Sequence, residues 1–273
     1  MNKSKYISLF LFIVFFQSQA QAQDADTALF RQLKIVKITS WVKLPMMLKQ
    51  RDTCLSETRT LNDLGKVTYI KTDYNCMGWN RMDETIFTYD KNQNPAEIKY
   101  LSNNQIVSHT FFKYNEKGYS IYEKRVYFEP ADTFIMYYDP QYDKKGVLLS
   151  ERVTSNKLEQ PPYLRKSTYK DGLISQVDIV NDTGEVLAKY NYYYNKDKQL
   201  VDETFESFKP SYNYSKELLD YQDGKLFRKT NTADNTATEF IYYSNGLIYK
   251  TMWYNRFGGL ERLYYNYYET KKE

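Results

Sequence analysis

Tyr142-Asp143-Lys144-Lys145-Gly146, followed by Val147 and Leu148, reads as a strand end, a tight turn and a new strand start. Asp caps such a turn through its side chain, and Gly supplies the positive φ that a type I turn with a bulge requires. The tyrosine ends the incoming strand and the branched apolar residue opens the outgoing one. The same signature recurs as Tyr114-Asn115-Glu116-Lys117-Gly118, and in shorter form at Tyr169 to Gly172, Tyr221 to Gly224 and Tyr243 to Gly246. Tyr89 to Gln93 and Tyr194 to Lys198 keep the tyrosine and lose the glycine, while Leu61 stands in the tyrosine position before Gly65. From Leu61 onward the spacings are 28, 25, 28, 27, 25, 27 and 22 residues, steady enough to mark a repeat.

Halfway between these turns lies a looser set, at Ser102 to Asn104, Glu129 to Asp132, Asn181 to Gly184, Lys209 to Ser211 and Ala233 to Asn235. Each repeat is therefore one strand out and one strand back. The intervening segments alternate with period two: Tyr190, Tyr192 and Tyr194 share one face, as do Leu173, Val177 and Ile179. The chain is thus expected to be all-β, a long antiparallel meander of about sixteen strands in hairpin repeats of about 26 residues. Such a sheet cannot stay flat, so it should curl or coil, with a closed barrel as the alternative.

The first residues set the compartment. Lys3 and Lys5 precede an apolar run from Ile7 to Phe16, and Ala20-Gln21-Ala22 is a cleavage pattern, so cutting is expected between Ala22 and Gln23. Residues 1–22 form the signal peptide, 23–50 a lead-in segment in which Ala28 to Ile35 could be a short helix, and 51–273 a single repeat domain. The product is exported, periplasmic or secreted. No second long apolar stretch follows, which implies no membrane span in the mature chain. Losing Lys3 and Lys5 takes the formal charge from +4 to about +2, with no concentrated basic patch for nucleic acid. Cys54 and Cys76 flank Gly65 symmetrically, a placement suited to a disulfide across a hairpin; two buried thiols are the other reading.

Tyr142-Asp143-Lys144-Lys145-Gly146 and its copies resemble the YD repeats of the RHS family, over roughly residues 60–250. That resemblance implies a β-hairpin repeat architecture, and in some members of the family carbohydrate binding. The stretch from Tyr242 to Leu260 looks like the MORN-type variant of secreted bacterial proteins. Tyr254 follows Tyr243 by only 11 residues there, as a terminal capping unit would. The signal, the Asn/Lys/Tyr-rich composition and the repeats together resemble a Bacteroidetes-type envelope protein.

Chemistry is sparse. His109 is the single histidine, in a strand, and no nucleophile elbow, zinc motif or phosphate loop is present. Among the carboxylates, Asp202-Glu203, Asp83-Glu84 and Glu151 offer the pairs a glycosidase would need, though 34 acidic residues supply such pairs by chance. The sequence therefore points to a non-enzyme without cofactor or metal. With 29 tyrosines, it favours a binding or structural module whose partner is a carbohydrate or an envelope protein. The ligand-binding candidates are Trp79, Trp253, Tyr265 and Tyr267. An interaction scaffold using an exposed edge strand is the other class.

Overall fold

The computed structural model describes residues 26–44, 53–75, 78–158, 160–208 and 212–271. A short helix, α1 (residues 26–32), leads into eighteen strands. The first nine are β1 (Ile35–Lys43), β2 (Cys54–Leu61), β3 (Val67–Asp73), β4 (Met82–Tyr89), β5 (Pro95–Ser102), β6 (Gln105–Tyr114), β7 (Ser120–Phe128), β8 (Ala131–Tyr142) and β9 (Leu148–Ser155). The rest are β10 (Tyr163–Lys170), β11 (Leu173–Asn181), β12 (Val186–Tyr194), β13 (Leu200–Ser207), β14 (Asn213–Gln222), β15 (Lys225–Asn231), β16 (Thr236–Tyr242), β17 (Ile248–Tyr254) and β18 (Leu260–Thr270). Each strand pairs antiparallel with its neighbours in sequence. β1 pairs on one side with β2, Val42 opposite Cys54, and on the other with β18, Val42 opposite Tyr264. The ring is closed.

The turn chemistry is as the residues dictate. Asn62, Asp90, Asn115 and Asp143 each accept, through one side-chain oxygen, the amides two and four residues on, at 2.8–3.0 Å. The residue in the glycine position adopts positive φ even where it is not glycine, as in Gln93 (65°) and Lys198 (62°). All the tyrosine turns lie on one rim of the barrel and the looser set on the other. The tyrosines then couple one hairpin to the next: the Tyr89 hydroxyl donates to the Val67 carbonyl (2.6 Å), Tyr169 to Leu148 (2.8 Å) and Tyr242 to Leu226 (2.8 Å). Each acceptor is the first or second residue of the strand that leaves the preceding tyrosine turn. At Tyr89 and Tyr169, and at Tyr242 beside the signature Tyr243, the tyrosine is therefore a bond between repeats.

Closure has a local cause. In hairpin after hairpin the outgoing strand carries one residue too many just past the turn. Thr68, Ala96, Ile121, Leu149, Val201 and Phe227 are such insertions. A β-bulge bends its strand and increases the local twist, and repeating it around a sheet curls the sheet upon itself.

A closed wall has a concave side, where side chains converge. Phe134, Met136 and Tyr138 of β8, Val153 of β9, Tyr163 of β10 and Val177 and Ile179 of β11 are buried there. The convex side holds the alternate positions, including Lys71, Glu84, Lys99, Lys124, Lys166 and Lys189. That composition departs from the apolar outer band of a transmembrane barrel, where a cation at the bilayer midplane costs about 2–4 kcal/mol. At the tyrosine-turn rim α1 covers the inner face: Leu29 and Phe30 pack onto Ile35, Ile38, Leu61 and Leu247.

Four expectations are corrected. The sheet is a closed eighteen-strand barrel, not an open curled meander of about sixteen strands, because the first and last strands pair and the bulges accumulate curvature. The YD-repeat resemblance does not extend to the architecture: its signature is the Asx-capped turn, which any tight hairpin uses. Closure leaves no unpaired edge among the described strands, so a scaffold recruiting partners through an edge loses its basis. Finally, no helix among the described residues is long and apolar enough to cross a membrane, but barrels cross with strands. The inference that the mature chain has no membrane span, drawn from apolar run length, is withdrawn.

Candidate functional site

The rim opposite α1 carries the longer connections, and the largest exposed apolar side chains gather there: Trp79, Leu158, Tyr212 and Phe257 among them. Two of its turns stand side by side, residues 232–235 between β15 and β16 and residues 255–259 between β17 and β18. The Asn235 side-chain Nδ2 donates to the Arg256 carbonyl at 2.8 Å and ties them together. Between them opens a cleft of about 400 Å³ lined by Trp253, Phe257, Arg256, Asp234, Thr236 and Glu261. A second cleft of about 250 Å³, with Arg228 and Glu239, shares Ala237, Tyr254 and Asn255 with the first.

Local sequence explains the shape. Ala237, buried and small, leaves room where its strand neighbours would fill it. Asn255 caps its turn by accepting from the Phe257 and Gly259 amides, both at 3.0 Å, which throws Phe257 outward at 81% exposure. Trp253 lies opposite Thr238 and Arg262 on the inner face and is 45% exposed. Arg262 stacks over its ring at 5.3 Å and Arg256 over Phe257 at 4.7 Å.

The four aromatic candidates are not brought together. Trp79 sits on the same rim in the connection after β3, stacked on Tyr74 at 6.0 Å. Tyr265 and Tyr267 face outward on β18, opposite Trp41 and Thr39, so the wall separates them from Trp253. Phe257, Arg256, Asp234 and Glu261 went unrecognised, although the shortened spacing at Tyr254 marked a second turn beside that of Ala233 to Asn235. Ala22 and Gln23 lie outside the described residues. Cys54 is disulfide-bonded, and Cys76 lies outside the described residues.

The carboxylates seen in the sequence are all occupied or apart. Asp202 and Glu203 point to opposite sides of the wall. Burial pushes the Asp83 carboxyl up, but hydrogen bonds from Arg81, Tyr100 and Ser102 outweigh it and hold the group below its ordinary range. Glu84 accepts from the Tyr69 hydroxyl at 2.8 Å, and Glu151 pairs with Arg165 at 2.8 Å. His109 Nε2 is 3.1 Å from Glu97 Oε2 on the outer face. Among the described residues no group of three or more His, Cys, Asp or Glu is placed to hold a metal. This is a β-sheet protein whose described residues assemble no catalytic centre.

One interior carboxyl is unusual. Glu203 faces Glu217 directly across β13 and β14, and Lys229 reaches Glu217 at 2.7 Å. Burial first, then the Glu217 charge, pushes the Glu203 carboxyl up to about 7. A carboxyl with a raised folded-state value favours folding below its unfolded value, and that contribution is lost as pH rises through about 7. Glu203→Gln is therefore expected to raise the thermal unfolding midpoint over wild type at pH 8 and to make little difference at pH 4.5. Equal shifts at both pH values would refute it.

No protein-family model matches the chain, and no curated protein matches it. Among solved structures it is similar to a porin-like protein from Bacteroides uniformis, at 8% identity and a TM-score of 0.45, over 86% of this chain and 98% of that one. It is also similar to a chain in the Photorhabdus luminescens Tc holotoxin pore, at 12% identity and a TM-score of 0.38, over 83% of this chain and 14% of that one. Membership of the YD-repeat family is not among these findings, and that assignment is dropped.

Proposed function

We propose that this chain is an exported, non-catalytic binding module of the cell envelope that takes carbohydrate in the rim cleft at Trp253. One observation carries the reading: two large aromatic rings, Trp253 and Phe257, stand exposed in a cleft whose other walls include Asp234, Thr236, Arg256 and Glu261. Sugars present apolar C–H faces and hydroxyl edges, and a site for them pairs aromatic platforms with converging hydrogen-bonding groups. The signal sequence supports export to the periplasm or beyond.

Glycan-array binding by the mature chain, beginning at Gln23, is expected to give positive spots. Trp253→Ala should weaken the best of them about tenfold or more, the scale of a central aromatic anchor. Because Trp253 is half-exposed, its unfolding midpoint should stay near wild type. A blank array, or full binding by Trp253→Ala, would sink the reading.

A further inference from the structure

We infer that the rim cleft selects an acidic saccharide, a sugar bearing a carboxylate or sulfate, and that Arg256 and Arg262 recognise its charge; this rests on the carbohydrate-binding reading. The arginines of the barrel wall and its turns behave in two ways. Arg59, Arg81, Arg125, Arg152, Arg165 and Arg228 each meet a carboxylate, at 2.6–3.1 Å. Arg256 and Arg262 meet none among the described residues. Instead each lies over an aromatic ring of the cleft, Arg256 over Phe257 and Arg262 over Trp253.

The carboxylates at the cleft do not satisfy them. Asp234 is turned onto its own chain, accepting from the Thr236 amide at 3.0 Å and the Thr236 hydroxyl at 2.7 Å. Glu261, the extra residue of the β17–β18 bulge, lines the cleft and forms no ion pair among the described residues. A guanidinium stacked on a ring keeps its edge N–H groups free in a planar fork, the geometry that grips a carboxylate or sulfate with two parallel hydrogen bonds. The cleft therefore offers two aromatic rings to a sugar, the Arg256 guanidinium, with Arg262 over the Trp253 ring, to its acid group, and one free carboxylate to its hydroxyls. A neutral sugar would use the rings and leave both arginines unengaged.

Titration calorimetry of the mature protein in 50 mM salt would compare trigalacturonate, its carboxyl-reduced neutral counterpart and a sulfated counterpart. The acidic trisaccharides are expected to bind at least about tenfold more tightly than the neutral one, with the advantage shrinking as salt is raised. Uronate over sulfate, or the reverse, identifies the source of the acid group. Arg256→Gln and Arg262→Gln should each reduce the ratio of acidic to neutral affinity several-fold, the ratio being the readout because both side chains pack on rings of the cleft. Arg256 stands on an exposed turn, so its variant keeps the test valid if Arg262→Gln disturbs Trp253. Equal affinity for acidic and neutral sugars, or a preference that survives both substitutions, overturns the inference and leaves the carbohydrate reading standing. No binding to any of the three, together with a blank array, removes both.

Discussion

Replacing Arg165 by methionine is expected to cost about 3–5 kcal/mol in urea unfolding, the range for removing one partner of a buried ion pair. Arg165 on β10 faces Glu151 on β9 in direct register, their side chains are each 9% exposed, and the Nη1–Oε2 distance is 2.8 Å. Tyr138, Tyr163 and Tyr192 crowd the guanidinium, so little water reaches it. Burial already pushes the Glu151 carboxyl up, and the Arg165 charge is what opposes that shift. Without the guanidinium, a carboxylate would be stranded among tyrosines and valine. The loss should therefore shrink in acid, where Glu151 can be neutral. The double variant Arg165→Met/Glu151→Leu should regain most of the stability, because it removes both charges at once. A single-variant cost below about 1 kcal/mol, or no recovery in the double variant, would show that water reaches the pair.

The hairpins were legible because their signals are local. A capping Asn or Asp, a positive-φ position and a tyrosine specify each turn within five residues, and the structure places turns at Asn62, Asp90, Asn115, Asp143 and Asn195 accordingly. Closure was not legible, for two reasons. The bulge residues, Thr68 or Phe227 for example, have no common character, since a bulge is defined by the partner strand's count and not by its own side chain. The closing contact joins residues 35–43 to 263–270, a pairing that no local pattern encodes. The eight tyrosine-turn positions accounted for the hairpins from β2 to β17. The strands left over, β1 in the supposed lead-in and β18 beginning where the supposed capping unit ends, are the two that seal the ring. Likewise Trp253 stood out as a rare aromatic, while Arg256 became interesting only once its lack of a carboxylate partner was visible.

Gly65→Ala is expected to cost about 3 kcal/mol, well above the same change at Gly118, which should cost about 1 kcal/mol. Both glycines sit in the left-handed region, at φ of 76° and 81°, so both variants carry the same backbone penalty. They differ in what surrounds the new methyl group. At Gly118 nothing lies within 4 Å, whereas at Gly65 the Cβ would stand 2.5 Å from the Thr27 carbonyl oxygen and 2.9 Å from the Arg31 amide nitrogen. Those are backbone atoms of α1 and cannot swing aside, so the helix has to lift. Lifting it uncovers Leu61, Ile38 and Leu247 beneath Leu29 and Phe30, and exposing one such side chain costs about 1.5–3 kcal/mol. Urea unfolding gives the two costs, and hydrogen exchange of the α1 amides reads the cause. Those amides should exchange faster in Gly65→Ala and at the wild-type rate in Gly118→Ala. Equal costs with unchanged α1 exchange would mean that the helix does not bear on this turn and that the inner face beneath it is held by the strands alone.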